Sequence, residues 1–141
     1  MFSGAHSHHV DDKGRTKMPQ RFASRLGAEF VATRGMHGCI WVFPREEWEK
    51  VLAKLQSDSL VDGRALTLQR FFLGTASECS LDPQGRLLIP PVLREYAGID
   101  SEILIIGACA KIEIWAKEKW EAYNAAITDE KLEELGRSAG L

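Results

Sequence analysis

His9-Val10-Asp11-Asp12-Lys13-Gly14-Arg15-Thr16-Lys17-Met18-Pro19 returns 71 residues later as Ser80-Leu81-Asp82-Pro83-Gln84-Gly85-Arg86-Leu87-Leu88-Ile89-Pro90. The match runs past the motif. Gly27 and Gly98 keep the same offset, and after a one-residue slip Val31, Gly35, Ile40 and Trp48 answer to Ile103, Gly107, Ile112 and Trp120 at an offset of 72. The chain therefore holds two copies of one supersecondary unit, each opened by an Asp-x-x-Gly-Arg turn. Duplication with the turn intact implies a pseudo-twofold architecture with two equivalent working loops.

Each copy reads as strand, turn, strand, short helix, hairpin, helix, which is an α+β class. In the first, Ser7 to Val10 and Arg15 to Met18 read as hairpin partners around the turn, and Pro19 opens a helix to Leu26 that Gly27 stops. Phe30 to Thr33 and Cys39 to Phe43 have the apolar, β-branched and aromatic composition of a second hairpin. After Pro44 a helix buries the stripe Trp48, Val51, Leu52 and Leu55. In the second copy, Glu78 to Leu81 and Arg86 to Ile89 flank the turn, and a helix from Pro91 to Ala97 is closed by Gly98. Ile103 to Ile106 and Ile112 to Trp115 form the hairpin, and a final helix carries Trp120, Tyr123 and Ile127. Asp58 to Gly63 reads as a polar loop and Arg64 to Leu73 as a connecting helix. The expected organisation is one compact domain over 1–141: repeat 5–57, connection 58–75, repeat 76–127 and an acidic tail 128–141 that reads as a fraying helix.

The turn residues divide by chemistry. Asp11 and Asp82 suit the first position of a type I turn because their carboxylates accept from backbone ahead of them. Gly14 and Gly85 suit the fourth, where positive φ is often needed. That geometry displays Lys13 and Gln84 at the tips, with Arg15 and Arg86 leaving them. Arg and Gln read guanine and adenine edges bidentately in the major groove. Lys17 and Arg21, with Lys13 and Arg25, supply phosphate attraction, which positions a protein without specifying sequence. The alternative is an ion pair between Asp and the Arg four residues on that simply fixes each turn.

Composition allows this reading. The net charge is −2, but every charged residue from Lys13 to Arg25 is basic, whereas acids dominate from Glu113 to Glu134. A basic contact face can therefore sit on an acidic protein. Cys39, Cys79 and Cys109 lack metal or disulfide spacing and read as reduced, mostly buried thiols. The longest apolar run, Ile103 to Ala110, is far short of the roughly 20 residues of a membrane span, so a cytoplasmic protein is expected. No cofactor, metal or small-molecule substrate is indicated.

These residues resemble the MraZ family of bacterial transcription regulators, built from two SpoVT/AbrB-like half-domains. The likeness is carried by Met1-Phe2-Ser3-Gly4, Asp11 to Arg15, Thr33-Arg34-Gly35, Gly38-Cys39, Pro44 with Glu46-Glu47-Trp48, Leu81 to Pro90, Leu93 to Gly98, and Ile112 to Trp115. The resemblance implies a swapped-hairpin, double-psi-like β-barrel with flanking helices and a ring-shaped homo-oligomer. It implies binding to direct repeats in double-stranded DNA upstream of the division and cell-wall gene cluster whose first gene encodes the regulator, hence an autorepressor at the nucleoid. By position, the implied DNA contacts are Lys13, Arg15, Gln84 and Arg86. Thr16-Lys17 departs from the more apolar family pattern and adds a phosphate contact, and His6, His8 and His9 form an unusually dense group.

Enzymatic chemistry finds no support, because Cys39 and Cys79, with His37 or the N-terminal histidines, lack any activating motif. His6 and His8 share a strand face but lack a further ligand for a metal, and read as exposed strand histidines. Trp41, Trp48, Trp115 and Trp120 read as core packing. The rival to a DNA regulator is an oligomeric scaffold, with the turns at subunit contacts and the acidic C-terminal helix binding a partner protein.

Overall fold

The computed structural model describes residues 1–56 and 62–141. In chain order the strands are β1 (Ala5–His9), β2 (Arg15–Lys17), β3 (Phe30–Arg34), β4 (Ile40–Pro44), β5 (Ser77–Cys79), β6 (Arg86–Leu88), β7 (Glu102–Ala108) and β8 (Lys111–Ala116). The helices are α1 (Gln20–Leu26), α2 (Arg45–Gln56), α3 (Gly63–Leu73), α4 (Pro91–Tyr96), α5 (Lys117–Ala125) and α6 (Asp129–Ser138). The fold is α+β. Most of the polar loop expected over Asp58 to Gly63 lies outside the described residues, and Gly63 already belongs to α3, capped by Asp62 accepting from the Arg64 N–H.

Six strands form one sheet in the order β1-β7-β8-β4-β3-β5, and β2 pairs with β6 as a separate ribbon. The order is palindromic, since β1, β7 and β8 are the repeat counterparts of β5, β3 and β4. A pseudo-twofold axis therefore passes between β8 and β4, where Trp41 faces Glu113. It also passes through the Thr16–Leu87 pair of the ribbon.

This pairing corrects the expected hairpin of Ser7 to Val10 with Arg15 to Met18. The Asp11 N–H still donates to the Arg15 carbonyl at 2.9 Å, but beyond the turn the strands part. β1 pairs with β7 and β2 pairs with β6, each in the other repeat. Strand alternation explains the exchange. Thr16 and Leu87 are 2% and 1% exposed, and together with Met18 and Ile89 they carry both ribbon strands into the shared core of Phe22, Phe30, Ile40, Leu93, Ile103, Ile105, Ile112 and Ile114. A local hairpin would bury only one repeat's inward residue, whereas the exchanged ribbon buries both over a single core.

The connecting helix is fastened to β3 by the triplet after Ala32. The buried Thr33 hydroxyl donates to the Phe72 carbonyl at 2.6 Å, and Arg34 donates through Nε and Nη2 to the Phe71 carbonyl at 3.1 and 2.9 Å. The Arg34 guanidinium also lies 4.3 Å from the Phe71 ring centroid. Carbonyls of the last helical turn, which have no partner inside the helix, are thereby satisfied. Gly35 must lack a Cβ because one there would collide with the Trp41 indole, which stacks on Phe72.

Further corrections concern the C-terminal half and the cysteines. The final helix does not reach Ile127: α5 ends at Ala125, and Thr128 caps a second helix, α6, by accepting from the Lys131 N–H. Cys39 is buried and Cys79 half-buried, but Cys109 is exposed in the β7–β8 turn. Arg34→Ala should destabilise the fold by about 2 kcal/mol, from two charge-assisted hydrogen bonds and a ring contact, read as a lowered midpoint in urea unfolding with unchanged slope.

Candidate nucleic-acid interface

Both turns are built from the same set of bonds. In the first, the Asp11 carboxylate accepts from the Lys13 and Arg15 N–H groups, each at 2.9 Å, and from Arg15 Nε at 3.2 Å. In the second, Asp82 accepts from the Gln84 and Arg86 N–H groups at 2.9 Å and from Arg86 Nε at 2.9 Å. The Gly14 and Gly85 N–H groups close the turns onto the Asp11 and Asp82 carbonyls, at φ of +85° and +78°. Each aspartate thus organises its turn and holds the arginine that leaves it. An arginine held through Nε still presents its terminal NH2 groups.

The ribbon joins the two turns. The Met18 N–H donates to the Gly85 carbonyl at 3.0 Å and the Ile89 N–H to the Gly14 carbonyl at 2.9 Å, one bond being the symmetry counterpart of the other. In the register, Arg15 stands opposite Leu88 and Lys17 opposite Arg86. With Thr16 and Leu87 pointing inward, the outward face of the ribbon carries Arg15, Lys17, Arg86 and the exposed Leu88. The antiparallel pairing sets the exposed tips Lys13 and Gln84 at opposite ends of that face. Gln84 turns its oxygen toward Arg86, accepting from Nη2 at 2.7 Å.

Arg21 is exposed on α1, where its guanidinium and the His6 imidazole both approach Gly4. The structure therefore brings Arg15, Lys17 and Arg86 together and sets Arg21 beside β1. Of the three N-terminal histidines, His9 alone is exposed, 3.8 Å from Glu102. His6 and His8 are half-buried, which corrects their reading as exposed. The His6 ring packs edge-on against Phe22. Burial, then His6, His9 and Lys17, hold the His8 pKa below the usual histidine value, so it is neutral at pH 7. Burial also pushes the Cys39 thiol up to about 12, which removes it as a thiolate nucleophile at neutral pH.

The MraZ protein family model matches this chain twice, over residues 1–71 and 72–138. The chain belongs to the MraZ family. It is 46% identical to the transcriptional regulator MraZ of Heliobacterium modesticaldum, covering 88% of this chain and 87% of that protein. It is likewise 46% identical to the MraZ regulator of Pelotomaculum thermopropionicum (95% and 94% covered) and 44% identical to that of Clostridium acetobutylicum (96% and 99%). This is a family of transcriptional regulators with tandem repeats, not of enzymes.

In this MraZ-family chain the two turns are unequal. Arg94, from α4 of the second repeat, lies against the first turn so closely that a Cβ on Gly14 would collide with its guanidinium. The repeat counterpart of Arg94 is Ala23, and a Cβ on Gly85 would meet nothing. The first turn thus gains a second arginine, and sequence reading missed it because the residue sits 80 positions away, in Leu93-Arg94-Glu95. Aligning the repeats, which sets a basic residue against an alanine, was the available signal.

Two outcomes follow. Gly85→Ala should cost about 1–2 kcal/mol, the strain of a left-handed alanine, and Gly14→Ala should cost more because Arg94 must also move; urea midpoints compare them. The carboxyls of Asp11 and Asp82 are held below the usual range, chiefly by the Arg15 and Arg86 N–H groups respectively. Their folded pKa values lie below the unfolded value of about 3.9. Their stabilisation is therefore complete above that pH and lost as pH falls through the folded values. Melting temperatures of Asp11→Asn/Asp82→Asn should fall less steeply than wild type below about pH 4.

Proposed function

We propose that the outward face of the β2–β6 ribbon, with its two turn tips, reads double-stranded DNA, and that this chain represses its own operon from direct repeats upstream of the division and cell-wall gene cluster. The observation that supports this most is the collection of Arg15, Lys17 and Arg86 on one side of a two-stranded ribbon whose other side is core. A β-ribbon fits the major groove. Arg15, Arg86 and Gln84 supply base-reading side chains, whereas Lys13, Lys17 and Arg21 supply phosphate contacts. Asp11, Gly14, Asp82 and Gly85 shape the turns that hold them. Since Arg94 reinforces the first turn, that turn carries the larger share of affinity.

The same proposal includes a swapped-hairpin, double-psi-like barrel made by the ribbon closing over the six-stranded sheet, with repeats 5–57 and 76–127 joined by 58–75 inside one domain. It includes a ring-shaped homo-oligomer working in the cytoplasm on the nucleoid. Neighbouring subunits engage successive repeats, so that tethering multiplies modest contacts, and a ring bound across a promoter excludes polymerase.

The test is a gel shift on DNA just upstream of the gene. Arg15→Ala should weaken binding by about 1–3 kcal/mol and relax sequence preference while the oligomer persists. Lys17→Ala should reduce the slope of log affinity against log salt by about 0.9. An Arg15→Ala protein that dissociates into subunits yet binds DNA unchanged would instead make the turns subunit contacts, as in a scaffold.

A further inference from the structure

α6 is amphipathic, and none of the described residues buries its apolar side. Leu132 and Leu135 lie one turn apart on one side and are 54% and 51% exposed, and no residue of the helix is buried. Asp129, Glu130, Glu133 and Glu134 outnumber Lys131 and Arg137 on the same helix. A capped helix with an open apolar stripe needs a surface to cover it.

The described residues of the same chain hold a matching surface elsewhere. Between the C-terminal halves of α2 and α3 lies a cavity of about 230 Å³ lined by Leu52, Leu55, Gln56, Gln69 and Leu73. The Gln69 amide donates to the Leu55 carbonyl at 2.8 Å, so that Leu52, Leu55 and Leu73 form the apolar surface, with Gln56 as its other polar residue. Leu73, at one edge of the groove, is 43% exposed. α3 carries no acidic residue, and its Arg70 is exposed in the last turn, the turn that supplies Leu73 to the groove; Arg64, in the first turn, pairs with Asp62 at 3.7 Å. An acidic helix with leucines one turn apart therefore meets an apolar groove beside a basic helix.

We propose that α6 of one copy docks in the α2/α3 groove of the next copy. Helix and groove are different patches, so the contact is heterologous: an open row of copies keeps one unused helix at one end and one unused groove at the other until a ring closes. The inference rests on the ring-forming reading above and names its subunit contact. It also assigns the acidic C-terminal helix to assembly.

The test uses two full-length variants, Leu132→Asp/Leu135→Asp in the helix and Leu73→Asp in the groove, all at exposed positions, analysed by mass photometry and sedimentation beside wild type. Wild type should sediment as an oligomer larger than a dimer, and each variant alone as a monomer. The two mixed at equal amounts should form a dimer and nothing larger, because one intact helix and one intact groove remain per pair. That dimer also shows both variants to be folded. A wild-type monomer or dimer overturns the ring reading and this contact together. Variants that keep the wild-type size overturn the contact and leave the ring standing. Monomeric variants whose mixture stays monomeric overturn the helix-in-groove pairing.

Discussion

Two backbone hydrogen bonds, from Met18 to Gly85 and from Ile89 to Gly14, join strands of only three residues from opposite repeats. Most of the molecule depends on that exchange. Isolated ribbons of this length are not stable in water. This one persists because Thr16 and Leu87 meet on the pseudo-twofold axis above a core drawn from both repeats. Once those residues point inward, alternation leaves Arg15, Lys17, Arg86 and Leu88 no direction but outward. The charged face is therefore a consequence of how the core is filled, and the turns that begin it are organised by aspartates, with Arg94 packed against the first.

Symmetry is kept in the backbone and broken in the side chains. The backbone and aspartate bonds of the two turns correspond one for one, yet the second adds the Arg86–Gln84 bond and carries Leu88 where the first has Lys17, and Ala23 stands where the second repeat has Arg94. A similar break occurs at the centre of the sheet. There Trp41 and Glu113 occupy equivalent positions, and the Glu113 carboxylate accepts from the indoles of Trp41 and Trp115 at 3.0 and 3.1 Å. Duplication supplied one scaffold, and divergence at its exposed and axial positions gave each half a different surface.

The elements themselves were legible in the sequence, because prolines, glycines and apolar periodicity mark where each strand and helix starts and stops. Their partners were less so. The residues from Ser7 to Val10 and from Arg15 to Met18 look like a hairpin locally, and only the requirement that both repeats fill one core sends their strands apart. Arg94 was invisible as part of the first turn for the same reason, since a contact between repeats leaves no mark in local spacing. The half-buried state of His6 and His8 also depends on what packs beside β1. The start of α6 was read at Thr128, where Asp129 and Glu130 follow a capping residue; the apolar spacing that runs on to Ile127 hid only where α5 ends.

The central claim is that the ribbon's outer face meets DNA. A photo-crosslinking amino acid at Leu88, exposed on that face opposite Arg15, tests it most directly beside the same group at Leu68 on α3. Crosslinking to the upstream DNA from position 88 and not from position 68 is the predicted result. Efficient crosslinking from position 68 with none from position 88 would contradict it.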